Sequence, residues 1–391
     1  MECIDVSGVA GSKLTEKKIL FVVNAPEFFL SHRLPIAIAA RDAGYEVHVA
    51  TADGGAVREI RRLGLVHHTV AIARSGQNPF AELGSIVSLY RLFRALKPDL
   101  LHLITIKPVL YGGIAARLAG VPATVAAVSG LGTVFIAQSA AAKVRRVLVS
   151  GLYRLAFSQR RLAVIFQNPD DRDGLLAIGA LGNDQVRMIR GSGVNLADYP
   201  FLPEPEGRPV VAMAARLLRD KGVYEFVEAA RLLKSRGVAV VMRLIGALDP
   251  GNPTSIEQAE LDAWLAEGFV ELPGYRSDIA RQYTAANIVC LPSYYGEGLP
   301  KTLVEAAACG RAVVTTNHPG CRDAIEPEIT GILVPAKKAS ALADALQALI
   351  EEPQRRMRMG KAGRELAERA FSIDRIVEQH LAIYKELLED A

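Results

Sequence analysis

Residues 287–316 read NIVCLPSYYGEGLPKTLVEAAACGRAVVTT, and the alternation within this stretch decides the fold. The apolar run 288–291 predicts a buried strand, and a loop containing Gly and Tyr follows it. Pro300 is expected to open a helix, because its missing N–H would go unpaired at a first helical position anyway. A second apolar strand is predicted over 312–316. Strand, loop, helix and strand in this order make a unit of an open α/β sheet. Such sheets bind ligands outside the carboxyl ends of their strands. The N–H groups of Gly298, Leu299 and the first helical turn are therefore expected to form an anion site. Glu297 stands before the helix and Glu305 lies eight positions further on. Carboxylates facing a phosphate would repel it, so both are read as acceptors of hydrogen bonds from hydroxyls. A ligand both phosphorylated and rich in hydroxyls points to a nucleotide sugar.

The same alternation runs outward in both directions. Strands are predicted over 18–24, 46–51, 66–72, 100–105, 123–128, 163–167 and 186–190, separated by helices or loops. The segment 24–31 is read as a loop; it lacks G-x-G-x-x-G, and Pro26 removes a donor, so a nicotinamide fingerprint is absent. Residues 201–209 (FLPEPEGRP) read as a linker, after which the alternation resumes to the end. The expected organisation is a tail over 1–17, a Rossmann-like domain over 18–200, a second over 201–372, and a last helix over 373–391. A chain of 391 residues is long enough for two cores.

Half the residues are hydrophobic and 23% charged, as in ordinary folded proteins. Cys3, Cys290, Cys309 and Cys321 lack metal-ligand spacing and suit a reducing cytoplasm. The first 17 residues have no apolar core of a signal peptide. The uncharged run 118–142 holds Gly120, Pro122, Gly130 and Gly132, and reads as turn, strand and loop rather than a membrane span. Asp171-Arg172-Asp173 matches a metal-binding D-x-D, but follows Asn168-Pro169 and is read as acids at a helix start. No metal and no cofactor is expected.

Arg216 and Lys221 lie five apart, at a strand end and a helix start. Converging there, they would neutralise a diphosphate as its bond to a sugar breaks. In the first half, Gly130 and Gly132 at a strand's carboxyl end allow backbone to approach a ligand. His32, Arg33 and Lys107 are candidates beside an acceptor, whereas His102 reads as a core histidine. Between Asp99 and Asp170 the chain carries eight basic residues and no acid. Within it, residues 141–161 predict a helix with an apolar stripe of Val144, Leu148, Leu152 and Leu155 beside Arg145, Arg146 and Arg154. That pattern fits an anionic membrane surface, or a core-packed helix with a solvated basic face. Nucleic acid is not expected, since no recognition-helix or aromatic-interleaved pattern accompanies the charge.

Glu297-Gly298-Leu299-Pro300 with Glu305, followed by Gly310 and the strand 312–316, resembles the paired-glutamate signature of family-4 retaining glycosyltransferases. The resemblance implies two Rossmann-like, doubly wound domains facing a cleft (the GT-B fold), with the last helix crossing back to the first domain. It places Glu297 against the donor sugar, Glu305 against the ribose, and the Tyr275–Arg276 backbone near the base, with Gly298, Leu299 and Pro300 along the donor. It brings the interdomain segment holding Gly193 and Asn195 toward the donor. It also implies retention of configuration without a metal. The string Gly130-Leu131-Gly132-Thr133-Val134-Phe135 before a basic helix resembles, more narrowly, bacterial transferases of lipid-linked oligosaccharide assembly. These add an N-acetylhexosamine from a UDP-sugar to a polyprenyl-diphosphate-linked sugar at the inner face of the cell membrane. Relatives commonly carry His where Ser129 stands. A transferase acting on a soluble acceptor, a non-hydrolysing sugar-nucleotide epimerase and a non-catalytic carbohydrate-binding relative are the rival expectations.

Overall fold

The fold, taken from a computed structural model, describes residues 17–72, 79–131 and 140–389. The tail expected over 1–17 falls outside these, save Lys17, and so do Gly132 and the string Thr133-Val134-Phe135. The first domain holds strands β1 (Lys18–Val22), β2 (Glu46–Thr51), β3 (Val66–Thr69), β4 (Leu100–Ile104), β5 (Ala123–Val128), β6 (Leu162–Phe166) and β7 (Val186–Met188). They pair in parallel in the order β3-β2-β1-β4-β5-β6-β7. Its helices are α1 (Pro26–His32), α2 (Leu34–Asp42), α3 (Val57–Arg62), α4 (Pro79–Leu96), α5 (Gly113–Ala119), α6 (Ala140–Phe157) and α7 (Pro169–Ala177).

The second domain has strands β8 (Val210–Ala214), β9 (Val241–Ile245), β10 (Glu271–Gly274), β11 (Ile288–Leu291), β12 (Ala312–Thr316) and β13 (Gly331–Val334), in the order β10-β9-β8-β11-β12-β13. Helices α8 (Val223–Ser235), α9 (Gln258–Glu267), α10 (Ile279–Thr284), α11 (Lys301–Ala308), α12 (Ala339–Glu351) and α13 (Pro353–Leu366) cover it, and α14 (Ile373–Glu389) closes the chain.

Continuous apolar strands are what a parallel sheet covered on both faces requires. In β1, Leu20 and Val22 join the core under α4, α5 and α6, while Ile19 and Phe21 join the opposite core under α1 and α2. The second core is completed from the far end of the chain. Ile376, Ile383, Tyr384, Leu387 and Leu388 of α14 bury themselves in it, and Tyr384 Oη lies 2.6 Å from His102 Nδ1. The last helix thus crosses back to the first domain.

Three local readings are corrected. The segment after β1 is no loop but the helix α1, with Pro26 in its first turn and the buried Phe29 anchoring it. Pro300 caps α11 rather than opening it: its ψ of 120° is extended, and Lys301 is the first helical residue. On α6 the inward residues are Tyr153, Ala156 and Phe157, with Val149 and Leu152 partly buried beside them. Those positions follow the 3.6-residue period. Leu148 and Leu155 of the expected stripe face outward, 65% and 44% exposed, with Val147 at 73%. The side chains of Val144 and Arg145 lie outside the described residues. Among the described residues no helix is long and apolar enough to cross a membrane.

Candidate active site

The carboxyl ends of the two sheets face one another across a cleft. A cavity of about 590 Å³ there is bounded by α1 and the ends of β4, β5 and β6 on one side, and by Arg216, Lys221 and Glu297 on the other. Beyond β8 the chain turns through Arg216 into a short 3-10 turn, Arg219–Lys221. Gly222 ends that turn at φ 81°, where a Cβ would stand 2.3 Å from the Pro292 carbonyl oxygen. Glycine is needed there for both reasons. The turn delivers Lys221 Nζ to 2.6 Å from Glu297 Oε1, which also accepts from Ser293 Oγ at 3.1 Å. Arg216 Nη1 lies 2.6 Å from Asp249 Oδ2.

Glu305 projects from α11 into a neighbouring cavity of about 650 Å³ that Tyr199, Tyr275 and Arg276 also line. Tyr199 Oη donates to Glu305 Oε1 at 2.6 Å, and Lys301 Nζ stands 3.6 Å away. Burial raises the Glu305 carboxyl above its ordinary range, against the pull of Lys301 and the Tyr199 bond. The Arg276 guanidinium forks onto Asp278 at 2.8 and 2.9 Å, and Tyr275 is 75% exposed.

On the first-domain side, His32 stacks flat on Phe28 with centroids 4.1 Å apart, and its Nδ1 lies 2.6 Å from Ser31 Oγ. Burial, Arg33 and Lys301 push its pKa down to about 3, so the ring is neutral at pH 7. Arg33 is 1% exposed and donates to the His32 carbonyl; burial lowers its pKa to about 10. Lys107 lines a third cavity, of about 500 Å³, and pairs with Glu82 at 2.6 Å. Gly130 sits at φ 105°, and a Cβ there would meet the Gly296 carbonyl oxygen at 2.4 Å.

Two N–H groups of the expected anion cradle are taken up by the protein itself. Gly298 N donates to the Ser129 carbonyl at 3.2 Å and Leu299 N to Gln167 Oε1 at 2.9 Å. Pro300 has no N–H to offer. The positive charge of the cleft therefore comes from side chains. Gly193 and Asn195 line none of these three cavities. Gly193 packs against Ile373, and the Asn195 amide donates to Asp198 Oδ2 at 2.9 Å. Asp171 lies in the first turn of α7, donates its N–H to the capping Asn168 and is buried, whereas Asp173 is exposed and paired with Arg172. Among the described residues, no group of three or more His, Cys, Asp or Glu is placed to hold a metal ion. Sequence reasoning missed Asp249, Ser293, Tyr199 and Gln167. Only Ser293 is close in sequence to the residue it serves.

Two doubly wound domains closing on a cleft of cations and buried carboxylates define a GT-B glycosyltransferase. The chain belongs to the group 1 glycosyltransferases: residues 197–366 match the family model "Glycosyl transferases group 1", and residues 18–168 match "Glycosyl transferase 4-like". It is 30% identical, over 95% of its length and 100% of the relative's, to the N,N'-diacetylbacillosaminyl-diphospho-undecaprenol alpha-1,3-N-acetylgalactosaminyltransferase of Campylobacter jejuni. The capsular polysaccharide biosynthesis glycosyltransferase CapM of Staphylococcus aureus is 24% identical over 90% of this chain and 92% of its own. Among solved structures, a glycosyltransferase from Rickettsia africae superposes with a TM-score of 0.78 at 19% identity, covering 96% of this chain and all of its own. Anabaena HepE in complex with UDP gives 0.73 at 19% identity, covering 94% and 100%.

Proposed function

We propose that this glycosyltransferase moves an N-acetylhexosamine from a UDP-sugar to a polyprenyl-diphosphate-linked sugar, with retention and without a metal, at the cytoplasmic face of the cell membrane. The observation that carries the reading is the convergence of Lys221, Glu297 and Arg216 on one cleft wall, with Glu305 in the adjoining cavity. Arg216 and Lys221 hold the donor diphosphate and stabilise the charge that develops as its bond to the sugar carbon breaks. Glu297 orients the sugar hydroxyls, Glu305 the ribose, and the Tyr275–Arg276 backbone the base, with Gly298, Leu299 and Pro300 alongside.

Both glutamates are assigned to hydroxyls of the donor, so neither serves as a covalent nucleophile. The acceptor hydroxyl attacks from the face the diphosphate leaves; a donor phosphate oxygen takes its proton, and the new glycosidic bond replaces the phosphoester. His32, Arg33, Lys107 and Gly130 stand on the acceptor side, His32 as a neutral ring. The name of the Campylobacter jejuni relative supports the amino-sugar and lipid-diphosphate assignments. An outward face carrying Val147, Leu148 and Leu155 with Arg146 and Arg154 supports contact with anionic lipid. On the same side of the sheet, Phe80 and Leu83 of α4 are 85% and 59% exposed.

The deciding experiment incubates purified protein with a panel of UDP-sugars and an undecaprenyl-diphosphate-linked sugar, with and without EDTA. A glycolipid product of retained configuration, formed equally in EDTA, is expected. An epimerised nucleotide sugar, transfer to soluble sugars alone, or a rate rescued only by magnesium or manganese would each overturn the corresponding part.

A further inference from the structure

We infer that Gln167 and Asn168, which follow β6 in the first domain, are positioning residues that clamp the donor loop of the second domain and hold the catalytic arrangement in its closed form. Leu299 N donates to Gln167 Oε1 at 2.9 Å. Asn168 Nδ2 donates to the carbonyl oxygens of Gly298 at 3.0 Å and Glu297 at 3.4 Å. Gly298 N reaches the Ser129 carbonyl at 3.2 Å. The loop backbone from Glu297 to Leu299 is thus gripped by the other domain. Asn168 is itself aimed by Asp171: Nδ2 donates to Asp171 Oδ2 at 2.8 Å, and Asp171 N donates to Asn168 Oδ1 at 2.9 Å.

The seam is built for backbone-to-backbone contact. A Cβ on Gly298 would stand 2.1 Å from Gln167 Oε1, and one on Gly130 2.4 Å from the Gly296 carbonyl oxygen. Asn168 is wholly buried and Gln167 nearly so. Buried amides of this kind stabilise an arrangement only while their partners are in place. When the domains part, the same loop groups meet water, so a lost clamp bond weakens the closed form and leaves each domain's own fold unaffected. The side chain of Glu297 holds Lys221 while its carbonyl is held by Asn168, so the clamp couples domain closure to the placement of that carboxylate. This rests on the reading that Glu297 faces the donor sugar.

Asn168 also caps α7, and the test must separate the two roles. Asn168→Ser keeps an oxygen that caps a helix and removes both amide hydrogens; Gln167→Leu removes the acceptor of the Leu299 N–H. Each variant is expected to lower kcat about tenfold, with the UDP dissociation constant within about twofold of the parent and Tm nearly unchanged. In solution X-ray scattering, the parent should become more compact on adding UDP and both variants should not. Unchanged kcat and compaction in both variants, or kcat falling in step with Tm or with UDP affinity, would overturn the clamp. A parent that compacts with UDP but transfers no sugar would sink the transferase reading instead, leaving the scattering comparison to judge the clamp alone.

Discussion

Lys221 Nζ and Glu297 Oε1 lie 2.6 Å apart, with side-chain exposures of 11% and 17%. From the sequence, Glu297→Gln would be expected to spare stability. The pair changes that expectation, because the substitution leaves an ammonium shut away from water without its partner, which costs on the order of 3 kcal/mol when burial is deep. Glu297→Gln should lower Tm by several degrees in the free protein, and UDP should restore most of it by bringing a diphosphate to Lys221. A free-protein Tm equal to the parent's, in differential scanning calorimetry, would break this account. Lys221→Ala and Arg216→Ala should each reduce turnover by about a hundredfold, or roughly 3 kcal/mol of lost charge stabilisation. Near-parental rates in both folded variants would remove the diphosphate assignment.

At the scale of elements, α14 ties the end of the chain to the first sheet through polar groups the core must keep neutral. His102 and His380 are buried, with centroids 5.5 Å apart and Arg33 acting on both. Burial, then the neighbouring charge, depresses His102 well below its ordinary pKa and His380 to about 3. The unfolded chain binds these protons near pH 6.5 and the folded one does not. Their contribution is therefore complete above pH 6.5 and is lost as pH falls through the depressed folded values, by about 1.4 kcal/mol per pH unit for each ring. Asp171, raised by burial to about 6, works the other way: it favours the fold below the unfolded carboxyl value, and that is gone above about 6. His380→Leu should flatten the fall of Tm between pH 6.5 and 4.5; an unchanged slope would show that the ring takes no part. Helix α6 carries the second element-level prediction. Changing Arg145, Arg146 and Arg154 together to Gln removes three positive charges, each contributing about 1 kcal/mol at an anionic surface. Binding to anionic vesicles should weaken by about a hundredfold, and high salt should mimic the change. Turnover of a short-chain soluble acceptor analogue should hardly move. Vesicle binding equal to the parent's would make the basic face an ordinary solvated one.

At the scale of the whole molecule, glycines admit the close approach of the two domains beside the donor loop. Gly130 and Gly298 each lie where a Cβ would collide with backbone or a buried amide from the facing domain. The seam holds the backbone of the loop that carries Glu297, while Lys221 and Arg216 take their places from contacts within the second domain.

The sequence by itself determined the alternation of strands and helices, both domains, and the paired glutamates with their cationic neighbours. These follow from local causes: apolar runs of strand length, the helical period, and motifs written within a few tens of residues. Local reading failed at Pro26 and Pro300, since a proline fits a loop, a helix's first turn and its cap alike, and packing chooses among them. Only the tertiary structure decided that the loop N–H groups are occupied, that Asn195 turns to Asp198, that Arg216 answers to Asp249 and Glu305 to Tyr199, and that Gln167 and Asn168 grip the donor loop. Apart from the local Asn195 turn, these contacts join residues 33 to 169 positions apart. No period or motif relates such positions; the closure of two separately folded sheets does.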